Sequence, residues 1–187
     1  METLEAIRSR FSCRNFKSAA ISQAQFEAIA QAAIQSPSGM NRQKWQIVIV
    51  KTPEIVREIE AEGWRVISAL PDKTVYDRIM SRGGKLFYNA PAIIFIAIEK
   101  PNAETALSYG IDCGIVAQNI ALAAEGLGLG SVICGLAEFA FSKEKGEYFK
   151  EKLHFPPNYV FGMSVLIGQP AVEGKGHEPN QDKISYI

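Results

Sequence analysis

The segment from Thr105 to Gly126, TALSYGIDCGIVAQNIALAAEG, constrains the fold of this chain more than any other. It reads as a helix, and one that is apolar nearly all round. Such a helix has to be buried. A chain of 187 residues fits a single domain, which has little interior in which to enclose a long helix completely. Part of it is therefore expected to be covered by another subunit. The longest apolar run, in 111–124, is interrupted by Asp112, Gln118 and Asn119 and falls short of the roughly 18 residues that span a bilayer. No membrane segment is expected.

Around this helix the pattern alternates between strands and helices. A short amphipathic stretch, 2–9, comes first. Ser22 and Gln25 have the spacing of a capping box, which satisfies the orphan amides at a helix start. The helix they open should run over about 23–35, with Phe26, Ile29, Ala30, Ala33 and Ile34 on one stripe. Ser36-Pro37-Ser38-Gly39 stops it. Trp45–Val50 and Ala92–Ile98 read as strands buried on both sides, with a helix from Pro53 to about Leu70 between them. Ile55, Ile59, Val66 and Ile67 of that helix should point inwards, whereas 71–85 reads as a loop or short helix. After the long helix come a short strand at Ser131–Cys134, a solvent-facing helix at Lys143–Leu153 and a last strand at Tyr159–Gly168. The fold class is α/β, helices packed on a central sheet.

Charge and cysteine usage narrow the function. Lys plus Arg and Asp plus Glu number 20 each, so no bulk field recruits nucleic acid or an anionic membrane, and any anion site must be local. Three cysteines, Cys13, Cys113 and Cys134, give neither a CxxC pair nor a disulfide framework. His154 and His177 lie in no metal-ligand spacing. The N-terminus lacks the apolar core of a signal peptide. A cytoplasmic, metal-free protein is expected.

Three segments carry residues suited to chemistry. In Arg10-Phe11-Ser12-Cys13-Arg14 an extended backbone would point Arg10, Ser12 and Arg14 the same way. Two guanidinium forks and a hydroxyl suit a phosphate, although surface arginines are also ordinary. In Ser36 to Trp45, Asn41 and Gln43 offer amide donors and acceptors between a helix end and a strand, where binding loops gather. The same residues would also serve a plain helix-stop turn. Gly126, Gly128 and Gly130 close a helix and lead into a strand, the reverse of a dinucleotide fingerprint, so helix termination explains them better. No Gly-x-Ser-x-Gly elbow or histidine triad setting is present. Cys134 reads as buried packing rather than a nucleophile.

Taken together, RFSCRNF, SPSGMNRQKWQIVIV, FYNAPAIIFIA, YGIDCGIVAQNIALAAEGLGLGSVICG and FGMSVLIGQPA resemble, in order, the segments of the small FMN-dependent nitroreductases. The resemblance covers most of the chain except roughly 51–85 and 137–158. It implies a nitroreductase-like sandwich with a mixed, mainly antiparallel central sheet, and an intertwined homodimer with two FMN sites at the subunit interface. By the same resemblance Arg10, Ser12 and Arg14 would hold the phosphate and ribityl chain, with Phe11 among the cofactor contacts. Asn41 and Gln43 would meet the flavin edge from the same protomer, and Pro37, Ser38, Gly39 and Met40 would approach from the partner. Cys134 and Gly135 would bring backbone amides near the flavin N5. Lys175, with Lys183 behind it, would complete the phosphate site. Two departures stand out: Lys44 replaces the family's proline before Trp45, and the 137–158 segment is too short for a large substrate lid.

The activity implied is ping-pong electron transfer from NAD(P)H through FMN to a small acceptor such as a nitroaromatic or quinone, with no dedicated side-chain acid or base. A flavin-binding protein that stores or senses FMN without turnover, or a flavin-free dimeric scaffold, would share the same sequence features.

Overall fold

In a computed structural model describing residues 1–187, the long apolar helix runs from Ala106 to Gly126 (α5). It lies on a four-stranded sheet whose order explains the pattern of the sequence. The strands are Trp45–Val50 (β1), Ala92–Glu99 (β2), Gly130–Cys134 (β3) and Tyr159–Gly168 (β4), in the order β1-β2-β4-β3. Every pair is antiparallel. The expected mixed character shrinks to one parallel bridge between Ser12 and Ser131, outside the strands proper.

Strand β2 is central and apolar throughout because both of its faces are covered. Side chains alternate along a strand. Thus Ile94, Ile96 and Ile98 join Phe26 and Ile29 of helix Gln23–Ile34 (α2) and Val116, Ala117 and Ile120 of α5. Ile93, Phe95 and Ala97 face the other way, towards Ile59 and Ile67 of helix Pro53–Ala69 (α3) and Phe149. Strand β1 is an edge strand and its middle is only half-buried, which corrects the expectation that it is enclosed on both sides. Its apolar run resembled that of β2, but strand order is a tertiary property.

Helix α2 starts with the expected capping box: the Gln25 amide donates to Ser22 Oγ (3.3 Å) and the Ser22 amide to Gln25 Oε1 (3.0 Å). Phe26, Ile29 and Ala33 are buried, while Ile34 is exposed at the helix end. Residues 71–85 contain a helix, Thr74–Met80 (α4). The expected helix over 143–153 is present but starts later, as Gly146–Lys152, and a short unexpected helix, Glu138–Phe141 (α6), precedes it, making it α7. Gly146 sets that junction, since a Cβ there would stand 2.3 Å from the Phe141 carbonyl oxygen. The segment is also not simply solvent-facing. Phe149 and Leu153 are buried, and Phe141 stacks on Phe161 and Phe155 with centroids 5.2 and 5.6 Å apart. One buried carboxylate escaped the sequence reading: Glu62 accepts both Arg65 Nε (3.0 Å) and Arg65 Nη2 (2.7 Å). That pairing holds its carboxyl below the usual range.

By length and composition alone α5 could cross a membrane, contrary to the sequence argument. Here it packs on α2 and on β2, β3 and β4. Helix Thr3–Ser9 (α1) lies against it. At its end the glycines act as expected. Gly128 takes φ +72, and the Leu129 amide reaches back to the Ala124 carbonyl (2.9 Å), a glycine-dependent helix stop.

Candidate functional site

The N-terminal segment is clamped beside β3. The Cys13 amide donates to the Ser131 carbonyl (2.9 Å), and further on the Lys17 amide donates to Gln169 (2.8 Å) and the Ala171 amide to Asn15 (2.9 Å). Cys13 is fully buried, and Gly130 leaves room for it: a Cβ at 130 would sit 2.9 Å from Cys13 Sγ. Because the Ser12–Ser131 bridge is parallel, the chain after Ser12 advances along β3 towards its C-terminal end. This places Arg14 in a cavity of about 190 Å³ with Cys134 and Gly135. Residues 120 positions apart in sequence therefore share one pocket through a single strand-like contact. Its other lining includes Arg78, Arg82 and Tyr88, which the sequence did not single out because nothing local marks them.

The C-terminal tail returns over the same N-terminal segment. A Cβ on Gly174 would stand 2.3 Å from the Phe11 ring, and one on Gly176 would stand 1.9 Å from the Arg8 carbonyl oxygen. Lys175 lies between these two contacts, beside the Arg8–Phe11 backbone, with its ammonium exposed and 3.6 Å from Glu178. Thus Arg10, Phe11 and Lys175 gather at one end of the clamp and Arg14 at the other. Lys183 sits in an exposed turn, Gln181–Lys183. Replacing Gly176 with Ala should displace the tail, since neither backbone can yield that distance. Limited proteolysis within 170–187 is expected to quicken markedly, and an unaltered digestion pattern would contradict this packing.

The loop from Pro37 to Gln43 sits elsewhere. It leads into β1, at the sheet edge opposite β3. Its Pro37, Ser38 and Gly39 share a cavity with Ser108, Ile111, Asp112 and Ile115 of α5. Met40, Asn41 and Gln43 take φ of +54, +54 and +48, a region disfavoured outside Gly and, less so, Asn. The loop is held there by side chains. The Gly39 amide donates to Asp112 Oδ1 (3.1 Å) and the Gln43 amide to Ser38 Oγ (2.9 Å). Gln43 Nε2 donates to Asn41 Oδ1 (2.8 Å), and Asn119 Nδ2 donates to Ser36 Oγ (2.9 Å). Asp112 and Asn119, the polar interruptions of the apolar helix, are therefore the anchors of this loop. Met40 remains 84% exposed at its tip. Asn41 and Gln43 travel with Pro37–Met40 as one unit, and the cavity that holds Arg14, Cys134 and Gly135 of the same chain contains none of them.

Burial pushes the Cys134 thiol up, against the opposing effects of the Leu136 and Ala137 amides and the Arg14 charge. Burial alone takes Cys113 to about 11. These cysteines are protonated at neutral pH, unlike a thiolate nucleophile. Ser164 Oγ fixes the strand end by donating to the Cys134 carbonyl (2.6 Å). Lys44 is committed elsewhere: its Nζ lies 3.2 Å from Glu99 Oε1, and Tyr109 donates to Glu99 Oε2 (3.0 Å). That contact holds Lys44 above and Glu99 below their usual ranges.

Known proteins share this fold and sequence. A nitroreductase from Desulfitobacterium hafniense, solved with bound FMN, is 44% identical, with a TM-score of 0.95 over 100% of this chain and 99% of that one. A nitroreductase from Bacteroides fragilis with bound FMN has the same fold, with a TM-score of 0.88 at 23% identity over 100% and 99% of the two chains. A protein of Archaeoglobus fulgidus described as a putative NADH dehydrogenase/NAD(P)H nitroreductase is 28% identical over 98% of this chain and 96% of its own length. The sequence model of the nitroreductase family matches residues 7–169, which takes in the clamp, the loop, the long helix and all four strands. The chain belongs to the nitroreductase family.

Proposed function

We propose that this protein is an FMN-dependent oxidoreductase that takes hydride from NAD(P)H and passes electrons to a small organic acceptor such as a nitroaromatic or quinone. The observation that carries the reading is the cavity shared by Arg14, Cys134 and Gly135, in a chain 44% identical to a nitroreductase solved with FMN. The residues fit that group. Arg10 and Ser12, with Lys175 brought beside the Arg8–Arg10 backbone by the tail, supply a guanidinium, a hydroxyl and an ammonium for a phosphate. Gly135 has no atom within 4 Å of where a Cβ would stand, leaving the strand end open to a planar ring. No carboxylate forms a salt bridge with Arg10 or Arg14.

When bound, FMN supplies the hydride-accepting chemistry. The protein's own part is placement and charge. Arg14 presents a fixed positive charge at the ring pocket, which stabilises negative charge as it develops there. Ser164 holds the Cys134 carbonyl and thereby orients the strand-end amides. The neutral thiol of Cys134 keeps this wall uncharged.

The site is completed, in this reading, by a second copy of the chain. Along α5, Leu107 and Ile111 are 76% and 55% exposed, and exposed Gly110 and Gly114 with half-buried Ile115 continue the same stripe. An apolar stripe of this kind marks an association surface. The 37–43 loop stands on that stripe. The entire loop, Asn41 and Gln43 included, then approaches the flavin held by the other subunit's Arg14, Cys134 and Gly135. This replaces the expectation that Asn41 and Gln43 serve the flavin of their own chain. A cytoplasmic location belongs to the same reading, and the three buried free thiols are compatible with it.

The test is colour and turnover. Purified protein should carry flavin absorbance released on denaturation, and anaerobic NADH or NADPH should bleach it, with an added nitroaromatic or quinone restoring the oxidised spectrum. A colourless protein that ignores added FMN contradicts the cofactor; flavin that stays oxidised under both donors contradicts the enzyme.

A further inference from the structure

The cavity at the end of β3 holds more positive charge than a flavin reading uses. Arg78, in the last turn of α4, and Arg82, four residues on, line it together with Arg14. None of the three has a carboxylate within salt-bridge distance. Some cations elsewhere are paired, among them Arg57 with Glu54, Arg65 with Glu62, Lys44 with Glu99 and Lys150 with Glu147. In a protein with 20 basic and 20 acidic residues, three unpaired guanidiniums around about 190 Å³ are a local excess. All three are solvent-exposed, and an anion entering between them would be attracted by all three at once.

The rest of the cavity is apolar. Ile79, Tyr88, Val132, Ile133 and Leu136 line it, with Ile79, Tyr88 and Val132 buried. The chain after α4 turns back to Tyr88 through Gly83 and Gly84, whose φ of +92 and +68 a residue with a side chain adopts only under strain. The turn fixes where Arg82 stands relative to that apolar wall. Apolar walls with a cationic rim suit a flat hydrophobic body that carries a carboxylate or sulfonate.

We propose that Arg78 and Arg82 form an anion subsite beside the flavin and select acceptors that are small aromatic acids. The proposal rests on the FMN reading above, because Cys134 and Gly135 bring the ring to this cavity. Arg14 serves the ring; Arg78 and Arg82 serve the acid group. Guanidinium is suited to this, since it can hold a carboxylate by two parallel hydrogen bonds.

The experiment compares 4-nitrobenzoate with its neutral counterpart 4-nitrobenzamide in the natural protein, Arg78→Gln, Arg82→Gln and the double variant. Binding is read by calorimetry, with and without flavin, and rates are taken per bound flavin. The acid should bind at least about tenfold more tightly than the amide, as expected for charge-assisted hydrogen bonds. The double variant should lose most of that preference in affinity and in the acid-to-amide ratio of kcat/KM, and raised salt should erode it in the natural protein. Equal affinity for acid and amide in the natural protein overturns the proposal, as does an unchanged ratio in the double variant. A change confined to the KM for NADPH relative to NADH also overturns it, by placing the arginines on the donor's phosphate. Failure of the FMN reading is separate: it shows as absent flavin or unreduced flavin, while calorimetry on the flavin-free protein still reads the arginine pair.

Discussion

Arg14→Ala should give a protein that folds normally and is purified with most of its flavin missing. Arg14 is exposed, and its hydrogen bond to the Ser12 carbonyl, at 3.4 Å, is long. The fold therefore loses little, as surface substitutions usually change stability by no more than about 0.5 kcal/mol. Flavin binding loses much more. A hydrogen-bonded charge contributes about 1.5–3 kcal/mol, so the Kd for FMN should rise on the order of tenfold to a hundredfold. The measurement is the ratio of flavin to protein absorbance after dialysis, followed by titration of the apoprotein with FMN. Arg14→Lys should recover part of the loss, because it restores the charge without the planar fork. Unchanged flavin content in Arg14→Ala would remove Arg14 from the site. Retained flavin with slowed reduction would instead leave it a purely electrostatic part at the ring.

Ile111→Asp should convert a coloured dimer into a pale monomer. Ile111 is 55% exposed in the single chain, so a carboxylate there is readily solvated in an isolated subunit. Within a subunit interface the same carboxylate would be buried without a partner, a cost of several kcal/mol, and it appears twice in a two-fold assembly. Pro37, Ser38 and Gly39 of the loop stand beside Ile111 in one cavity, so separation of the subunits should also strip the flavin of its second wall. Light scattering coupled to size exclusion, with the absorbance spectrum recorded on the same peak, reads both effects. A coloured dimer in the variant would move the interface off α5. A coloured monomer would leave the interface in place but show that one chain retains flavin by itself.

How far the sequence reached depended on whether a feature was local. The capping box at Ser22 and Gln25, the glycine stop after α5, and the strand at Tyr159–Gly168 were all legible, because each follows from residues a few positions apart. The short α4 was half-seen, and the helix expected over 143–153 was begun too early. There the boundary depends on Gly146 meeting the Phe141 backbone, a contact with no periodic signature. The apolar run of β1 resembled that of β2 in sequence, yet one lies at an edge and the other in the centre.

The candidate site divides in the same way. Arg10, Ser12 and Arg14 could be named from their chemistry, but not parted from one another. The parallel contact of Ser12 with Ser131 carries Arg14 towards Cys134, while Gly174 and Gly176 lay Lys175 beside Phe11 and the Arg8–Arg10 backbone. Arg78 and Arg82 had no signal at all, since an arginine on a polar helix reads as solvated surface until its neighbours are known.

The long apolar helix gave the first constraint, and by itself the sequence determined that it must be buried, that strands and helices alternate around it, and that no bulk charge seeks nucleic acid. Those conclusions rest on composition and periodicity, which a chain carries with it unfolded. Tertiary structure alone decided that Asp112 and Asn119 hold the 37–43 loop, that Leu107 and Ile111 are left uncovered, and that Arg14 meets Arg78 and Arg82 of a distant segment at one strand end. Each of these depends on which segments become neighbours, and that is set by the packing of the whole sheet against its two helical layers.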